Sequence, residues 1–285
     1  MKKIAVIFNG GTISMKVDER IKAAVPSLTG EEIMSMVTGI EEYAEIESYS
    51  FSSMPSPHMT FKTMLELSEF SKELLNREDI DGVVITHGTD TLEETAYLLD
   101  LTINSDKPVV ITGAMRSGSE LGYDGPSNLA ASICTAISDD AKGRGVLVCF
   151  NGELNSAAEV TKANSMALNA FITPNFGPIG IVDNNKVMFY RNAKKTETYD
   201  AKEFIDNMRN PENYGSDSVT AYSTYIGWQF ADYGIVIYVS ETSNSRSGTL
   251  KANIHDVSIS YVPATYGKLE DVFGTNAVSD FIAAK

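Results

Sequence analysis

The chain has 285 residues, 43% of them hydrophobic, and carries 38 acidic against 23 basic side chains for a formal charge of −15. That length fits one large domain, or a standard domain with a smaller one, and the apolar content is ample for a buried core. A negative surplus without any concentrated run of Lys and Arg repels a phosphate backbone, which excludes nucleic acid as an expected partner.

The first eight residues resemble the start of a signal peptide, but Asn9-Gly-Gly-Thr12 cuts the apolar run before a signal core or a membrane span is reached. Residues 3–8 read instead as a first strand buried on both faces. Gly10 and Gly11 permit a sharp turn after it. Thr12, on that turn, is a candidate nucleophile, or else it only caps the following segment.

Thr29-Gly-Glu-Glu32 is a capping box that opens a helix. Residues 46–51 form a less apolar candidate strand. Thr60 then precedes Met64, Leu67, Phe70 and Leu74 at helical spacing.

Residues 82–86 read as a second fully buried strand, ending at His87-Gly-Thr-Asp90. There Asp90 either faces a ligand or serves as a helix N-cap with Glu93 as its capping-box partner. A helix follows Thr91. Residues 108–112 form a further strand ending at Gly113-Ala-Met, a helix follows Pro126, and residues 145–150 form a strand ending at Asn151-Gly-Glu153.

The two cysteines, Cys134 in a helix and Cys149 in a strand, lack CxxC spacing; they read as small buried apolar residues in a reducing, cytoplasmic compartment. Lys162, in Val160-Thr-Lys-Ala-Asn, suits proton transfer if it lies beside a hydroxyl and a carboxylate, and is otherwise a solvated surface lysine. From about residue 200 the texture changes. Residues 207–218 are polar and turn-rich, 234–240 and 256–261 read as separate strands, and the segment from Trp228 to Val236 is a candidate core.

Strands alternating with helices from residue 3 to about 150 predict an α/β fold with an open, mostly parallel, doubly wound sheet. Open parallel sheets bind ligands beyond the carboxyl ends of their strands. The residues there are Asn9-Gly-Gly-Thr12, 52–56, His87-Gly-Thr-Asp90, Gly113-Ala-Met and Asn151-Gly-Glu153, so hydroxyls, glycines and a carboxylate should converge.

His58, His87 and His255 form no HxxxH or HxH pair, and nothing matches the GxSxG elbow of serine hydrolases. The first turn is neither GxGxxG nor a Walker loop, and no acidic residue near Phe51 could hold a ribose. No metal and no organic cofactor is therefore expected.

Taken together, Ile7-Phe-Asn-Gly-Gly-Thr-Ile13, Thr86-His-Gly-Thr-Asp-Thr91 and Val160-Thr-Lys162 resemble, in order and spacing, the signature segments of bacterial L-asparaginases. Ser56-Pro-His-Met-Thr60, Thr112-Gly-Ala-Met115, Asp124-Gly-Pro-Ser-Asn-Leu129 and Ala170-Phe-Ile-Thr-Pro-Asn-Phe-Gly-Pro178 are similar to further family segments. The likeness spans residues 1 to about 192, which it implies form the catalytic domain, and leaves a smaller second domain of unassigned fold, α/β or β-rich, over 193–285.

The resemblance implies an L-asparagine amidohydrolase releasing L-aspartate and ammonia, with glutamine as a possible second substrate. It assigns Thr12, Thr89, Asp90 and Lys162 to catalysis: Thr12 attacks the amide carbon, and Thr89 with Lys162 and Asp90 forms a second hydroxyl-centred relay. It assigns Gly11, Ser56, Pro57, Gly88 and Ala114 to substrate binding, with Ser56 on the α-carboxylate, Asp90 on the α-ammonium and the Ala114 backbone near the amide. Residues 13–29 correspond to a loop that closes over the substrate. It also implies a homo-oligomer, dimer or tetramer.

Two departures from the family pattern stand out. No tyrosine occurs between Ile13 and Thr29, and residues after 194 do not match the family's second domain, which helps complete the neighbouring subunit's site. The alternative reading is therefore a non-catalytic amino-acid-binding protein derived from such an enzyme. A relative that feeds ammonia to a partner enzyme is disfavoured by the acidic surface.

Overall fold

The computed structural model describes residues 1–193 and 197–200 in full, and the backbone of 235–239 and 257–261. Its elements begin with β1 (Lys2–Asn9), then a hairpin of β2 (Met15–Asp18) and β3 (Ala23–Pro26), then α1 (Gly30–Ser35) and β4 (Ala44–Ser52). They continue with α2 (Phe61–Leu75), β5 (Gly82–Thr86), α3 (Leu92–Thr102), β6 (Val109–Thr112), α4 (Gly125–Ile137) and β7 (Val146–Phe150). Five short strands follow: β8 (Glu153–Ser156), β9 (Thr161–Lys162), β10 (Phe171–Ile172), β11 (Gly180–Asp183) and β12 (Lys186–Phe189).

The main sheet runs β12-β11-β8-β7-β6-β5-β1-β4. The pairings β4-β1, β1-β5, β5-β6 and β6-β7 are parallel, whereas β7-β8, β8-β11 and β11-β12 are antiparallel. The sheet is thus α/β and mostly parallel, as the alternation of strands and helices predicts. From β1 the chain first adds β4 on one side and then crosses to add β5 on the other, which puts the reversal of strand order between β1 and β5.

The central strands are uniformly apolar because both faces are covered. Along β1, Ile4, Val6 and Phe8 pack with Ile33 of α1 and Leu129 and Ile133 of α4. Ala5 and Ile7 point the other way, onto Leu67 and Leu74 of α2 and Leu92 and Leu99 of α3. Burying each such Val, Ile or Leu contributes roughly 1.5–3 kcal/mol. β4 lies at one edge of the sheet, and its outer positions face solvent, so its mixed composition fits its place.

The helix starts follow local chemistry. At α1 both halves of the capping box form: the Glu32 N–H donates to Thr29 Oγ1 at 3.2 Å, and the Thr29 N–H donates to Glu32 Oε2 at 2.7 Å. At α2 the Thr60 hydroxyl accepts from the Thr63 N–H at 3.1 Å.

Asn151-Gly-Glu153 follows the carboxyl end of β7, as expected, and it also turns the chain. Asn151 and Gly152 take φ values of 51° and 77°, the geometry of a tight hairpin, and send the chain straight back as antiparallel β8. Asn-Gly between apolar runs is a hairpin signal in its own right.

By contact the chain divides into two units, residues 1–200 and 201–285. In the second unit β13 (Ile235–Val239) and β14 (Val257–Tyr261) pair antiparallel, within the segments expected to be strands. The polar stretch 207–218 and residues 228–234 of the candidate core lie outside the described residues. Among the described residues no helix is long and apolar enough to cross a membrane.

Candidate active site

The turns after β1, β4, β5 and β6 meet through glycines, because there is no room between them for a side chain. Gly10 has φ 76°, and a Cβ on it would lie 2.7 Å from the Met54 carbonyl oxygen. Gly11 has φ 85°, and its Cβ would lie 2.4 Å from Gly88 Cα. A Cβ on Gly88 would meet Ser56 Cβ and Oγ at 2.7 Å, and one on Gly113 would meet the His87 carbonyl oxygen at 2.4 Å. Real Cβ atoms do not come this close, so four strand-end turns are brought together by missing side chains. The site lies at the reversal of strand order, where the topology places it.

Thr12 opens a short 3₁₀ turn, Thr12–Ser14, directly after the Gly11 contact with Gly88. The turn is closed by the Ser14 N–H and hydroxyl, which both donate to the Gly11 carbonyl, at 3.0 and 2.8 Å. Asn9 fixes the approach: its Oδ1 accepts from Ser52 Oγ at 2.6 Å and its Nδ2 donates to Met59 Sδ at 3.7 Å, which ties the loop carrying Ser56 to the end of β1.

Ser56 is buried in a 3₁₀ turn after β4. Its Oγ accepts from the Asp90 N–H at 3.1 Å and its carbonyl accepts from the Thr91 hydroxyl at 2.8 Å. The Ser56 hydroxyl proton therefore remains available for donation. Pro57 is the exposed second residue of the same turn. Ala114 is fully buried beside Gly113.

Lys162 comes from β9, far along the chain, and its Nζ donates to Thr89 Oγ1 at 2.9 Å and to Asp90 Oδ1 at 2.8 Å. Its side chain is 16% exposed, against 60% for Asp90. Lys162 is thus held within the crevice and not solvated. The capping alternative for Asp90 fails as well. Thr91 takes the N-cap position of α3 with no side-chain cap, while the Glu93 carboxylate accepts from the Lys162 backbone N–H and from the Thr161 hydroxyl. Glu93 so holds β9 in reach of Thr89, a role with no sequence signal beyond two acidic residues in the first turn of a helix.

His87 is fully buried under this turn. Its Nδ1 lies 2.7 Å from the Gly88 carbonyl, which can only accept, and its Nε2 lies 3.0 Å from Thr95 Oγ1. Those partners fix the tautomer with the proton on Nδ1. Burial pushes its pKa down to about 4, against a smaller opposing effect from the bond to Gly88. His87 is therefore a neutral support for the 88–90 turn.

Asp124 does similar work below Ala114. Its carboxylate accepts from the Met115 and Arg116 N–H groups at 3.0 and 2.9 Å, and from Asn128 Nδ2 at 3.1 Å, while Asn128 Nδ2 also donates to the Gly113 carbonyl at 3.0 Å. Among the described residues no cluster of three or more His, Cys, Asp or Glu side chains is arranged to hold a metal ion.

A family model described as the amino-terminal asparaginase domain matches residues 3–195. The chain belongs to the asparaginase family. The L-asparaginase of Bacillus licheniformis is 39% identical over 198 residues, 70% of this chain and 61% of that protein. The glutaminase-asparaginase of Pseudomonas fluorescens biotype A is 34% identical over 230 residues, 78% of this chain and 63% of that protein. The crystal structure of a probable cytoplasmic L-asparaginase from Campylobacter jejuni superposes with a TM-score of 0.63 at 38% identity, over 69% of this chain and 59% of that one. The chain thus spans about three-fifths of the length of these asparaginase relatives.

Proposed function

We propose that this chain hydrolyses the side-chain amide of L-asparagine to L-aspartate and ammonia, with L-glutamine as a secondary substrate and Thr12 as nucleophile. The observation that carries the reading is the Lys162 ammonium between the Thr89 hydroxyl and the Asp90 carboxylate, on the turn packed against the turn of Thr12. Relatives named L-asparaginase and glutaminase-asparaginase support the substrate class.

In this reading Thr12 Oγ1 gives up its proton as it bonds to the amide carbon, the C–N bond breaks, and the amide nitrogen leaves as ammonia carrying that proton. Water then cleaves the Thr12 ester to release the acid. Thr89, whose oxygen accepts from Lys162, keeps its own proton free to move toward the reacting atoms. The free Ser56 hydroxyl proton meets the α-carboxylate, and the second Asp90 oxygen meets the α-ammonium, a charge-assisted pair. The β2-β3 hairpin over residues 13–29 closes the site against water. Asparagine and glutamine differ by one methylene, worth only about 1–3 kcal/mol, so two substrates are compatible with one pocket. We further propose a cytoplasmic homo-oligomer, dimer or tetramer.

The test is ammonia release from L-asparagine and L-glutamine by the purified chain, with Thr12→Ala as control. Turnover with asparagine that vanishes in Thr12→Ala is expected. A folded protein with no turnover above that control, yet with calorimetric binding of asparagine, overturns the enzyme in favour of a binding protein.

A further inference from the structure

The carbonyls of the turn that presents Thr12 have separate owners. The Gly11 carbonyl accepts from Ser14, the Thr12 carbonyl from the Met15 N–H, and the Ser14 carbonyl from the Ser27 and Leu28 N–H groups. All of these donors lie within residues 14–28. The Ile13 carbonyl is different, because its donor comes from another element: Tyr123 Oη, at 2.5 Å.

That hydroxyl is delivered from a rigid base. Tyr123 immediately precedes Asp124, whose carboxylate clamps Met115, Arg116 and Asn128. The Tyr123 ring lies over Gly125, where a Cβ would come within 2.5 Å of the ring and the hydroxyl. The half-buried ring also packs against the core cluster that contains Ile13. Burial is the main cause that raises the Tyr123 pKa, with Asp124 adding to it, so the phenol stays protonated and donates.

We propose that Tyr123 is a positioning residue for Thr12: by holding the Ile13 carbonyl, its hydroxyl fixes the turn from which the nucleophile is presented. The proposal rests on Thr12 as nucleophile. It is separate from the docking of the hairpin beyond, where the Gly118 N–H donates to the Met15 carbonyl at 2.8 Å and the Val17 N–H donates to Ser119 Oγ at 2.9 Å.

Tyr123→Phe removes the hydroxyl and leaves the ring on Gly125. With displacement of a nucleophile as the cause, kcat for asparagine falls about 10-fold or more while KM stays within about two-fold. Ser119→Ala, which loosens the hairpin without touching the turn, leaves exchange of the Ser14 and Met15 amides within about two-fold of wild type. Hydrogen exchange supplies a readout that needs no activity: in Tyr123→Phe the Ser14 and Met15 amides exchange at least about 10-fold faster, with β1 and α4 unchanged. Wild-type kcat in Tyr123→Phe, or equally fast exchange of the Ser14 and Met15 amides in Ser119→Ala, overturns the proposal. Unchanged exchange at Ser14 and Met15 in Tyr123→Phe overturns it as well, as does a general loss of protection across β1 and α4. If the wild-type chain itself releases no ammonia, the amidohydrolase reading fails, and the exchange experiment alone decides whether Tyr123 fixes the turn.

Discussion

Acidification should destabilise this protein through one buried imidazole. His87 is neutral in the folded state because burial pushes its pKa down to about 4 from an ordinary 6.5. The folded pKa is the lower one, so the unfolded chain takes up the proton first. Stability from the neutral ring is fully present above pH 6.5 and is lost as pH falls toward 4. At about 1.36 kcal/mol per pKa unit the full loss is about 3 kcal/mol, most of which has gone by pH 4.5. Set against a total stability of roughly 5–15 kcal/mol, that is a measurable share. Denaturant unfolding of the wild type and His87→Gln at pH 7.5 and 4.5 isolates the effect, since the other titrating groups cancel in the difference. The stability gap between them should narrow by about 2–3 kcal/mol on acidification. A gap that does not change with pH, or an imidazole resonance titrating near 6.5, would refute the assignment.

Two substitutions probe the crevice directly. Gly11→Ala adds a Cβ that would sit 2.4 Å from Gly88 Cα at a φ of 85°. The backbone conformation alone costs about 1–3 kcal/mol, and parting the two turns by about 1 Å should lower amidase turnover about 100-fold; thermal unfolding and ammonia release measure the two effects. Lys162→Met keeps the aliphatic stem but removes the contacts to Thr89 and Asp90. Turnover should drop about 100- to 10,000-fold while stability changes by less than about 1 kcal/mol, and a variant within ten-fold of wild type would remove Lys162 from the mechanism.

The parts of the fold legible in the sequence are those where a local rule meets a uniform environment. Residues 3–8, 82–86 and 108–112 are apolar at nearly every position because helices cover both faces of those strands, and the capping box at Thr29 names its own partner three residues on. The alternation of these elements was enough to place the crevice beyond the carboxyl ends of the strands, whereas the reversal of strand order between β1 and β5 is visible only in the folded sheet. What the sequence by itself determined is therefore the α/β architecture, the turns that line the crevice and, by resemblance, the family.

Only the tertiary structure decided how each side chain is used, because the deciding partners are remote in sequence. Asp90 looks like a helix cap until Lys162, 72 residues away, takes its Oδ1, and Glu93 looks like the matching cap partner until β9 arrives to be held. Tyr123 gives no local sign that its hydroxyl reaches the Ile13 carbonyl 110 residues earlier. Composition and periodicity report whether a residue faces water or core. Which atoms meet in the crevice is set by turns packed so closely that a single added Cβ would force them apart.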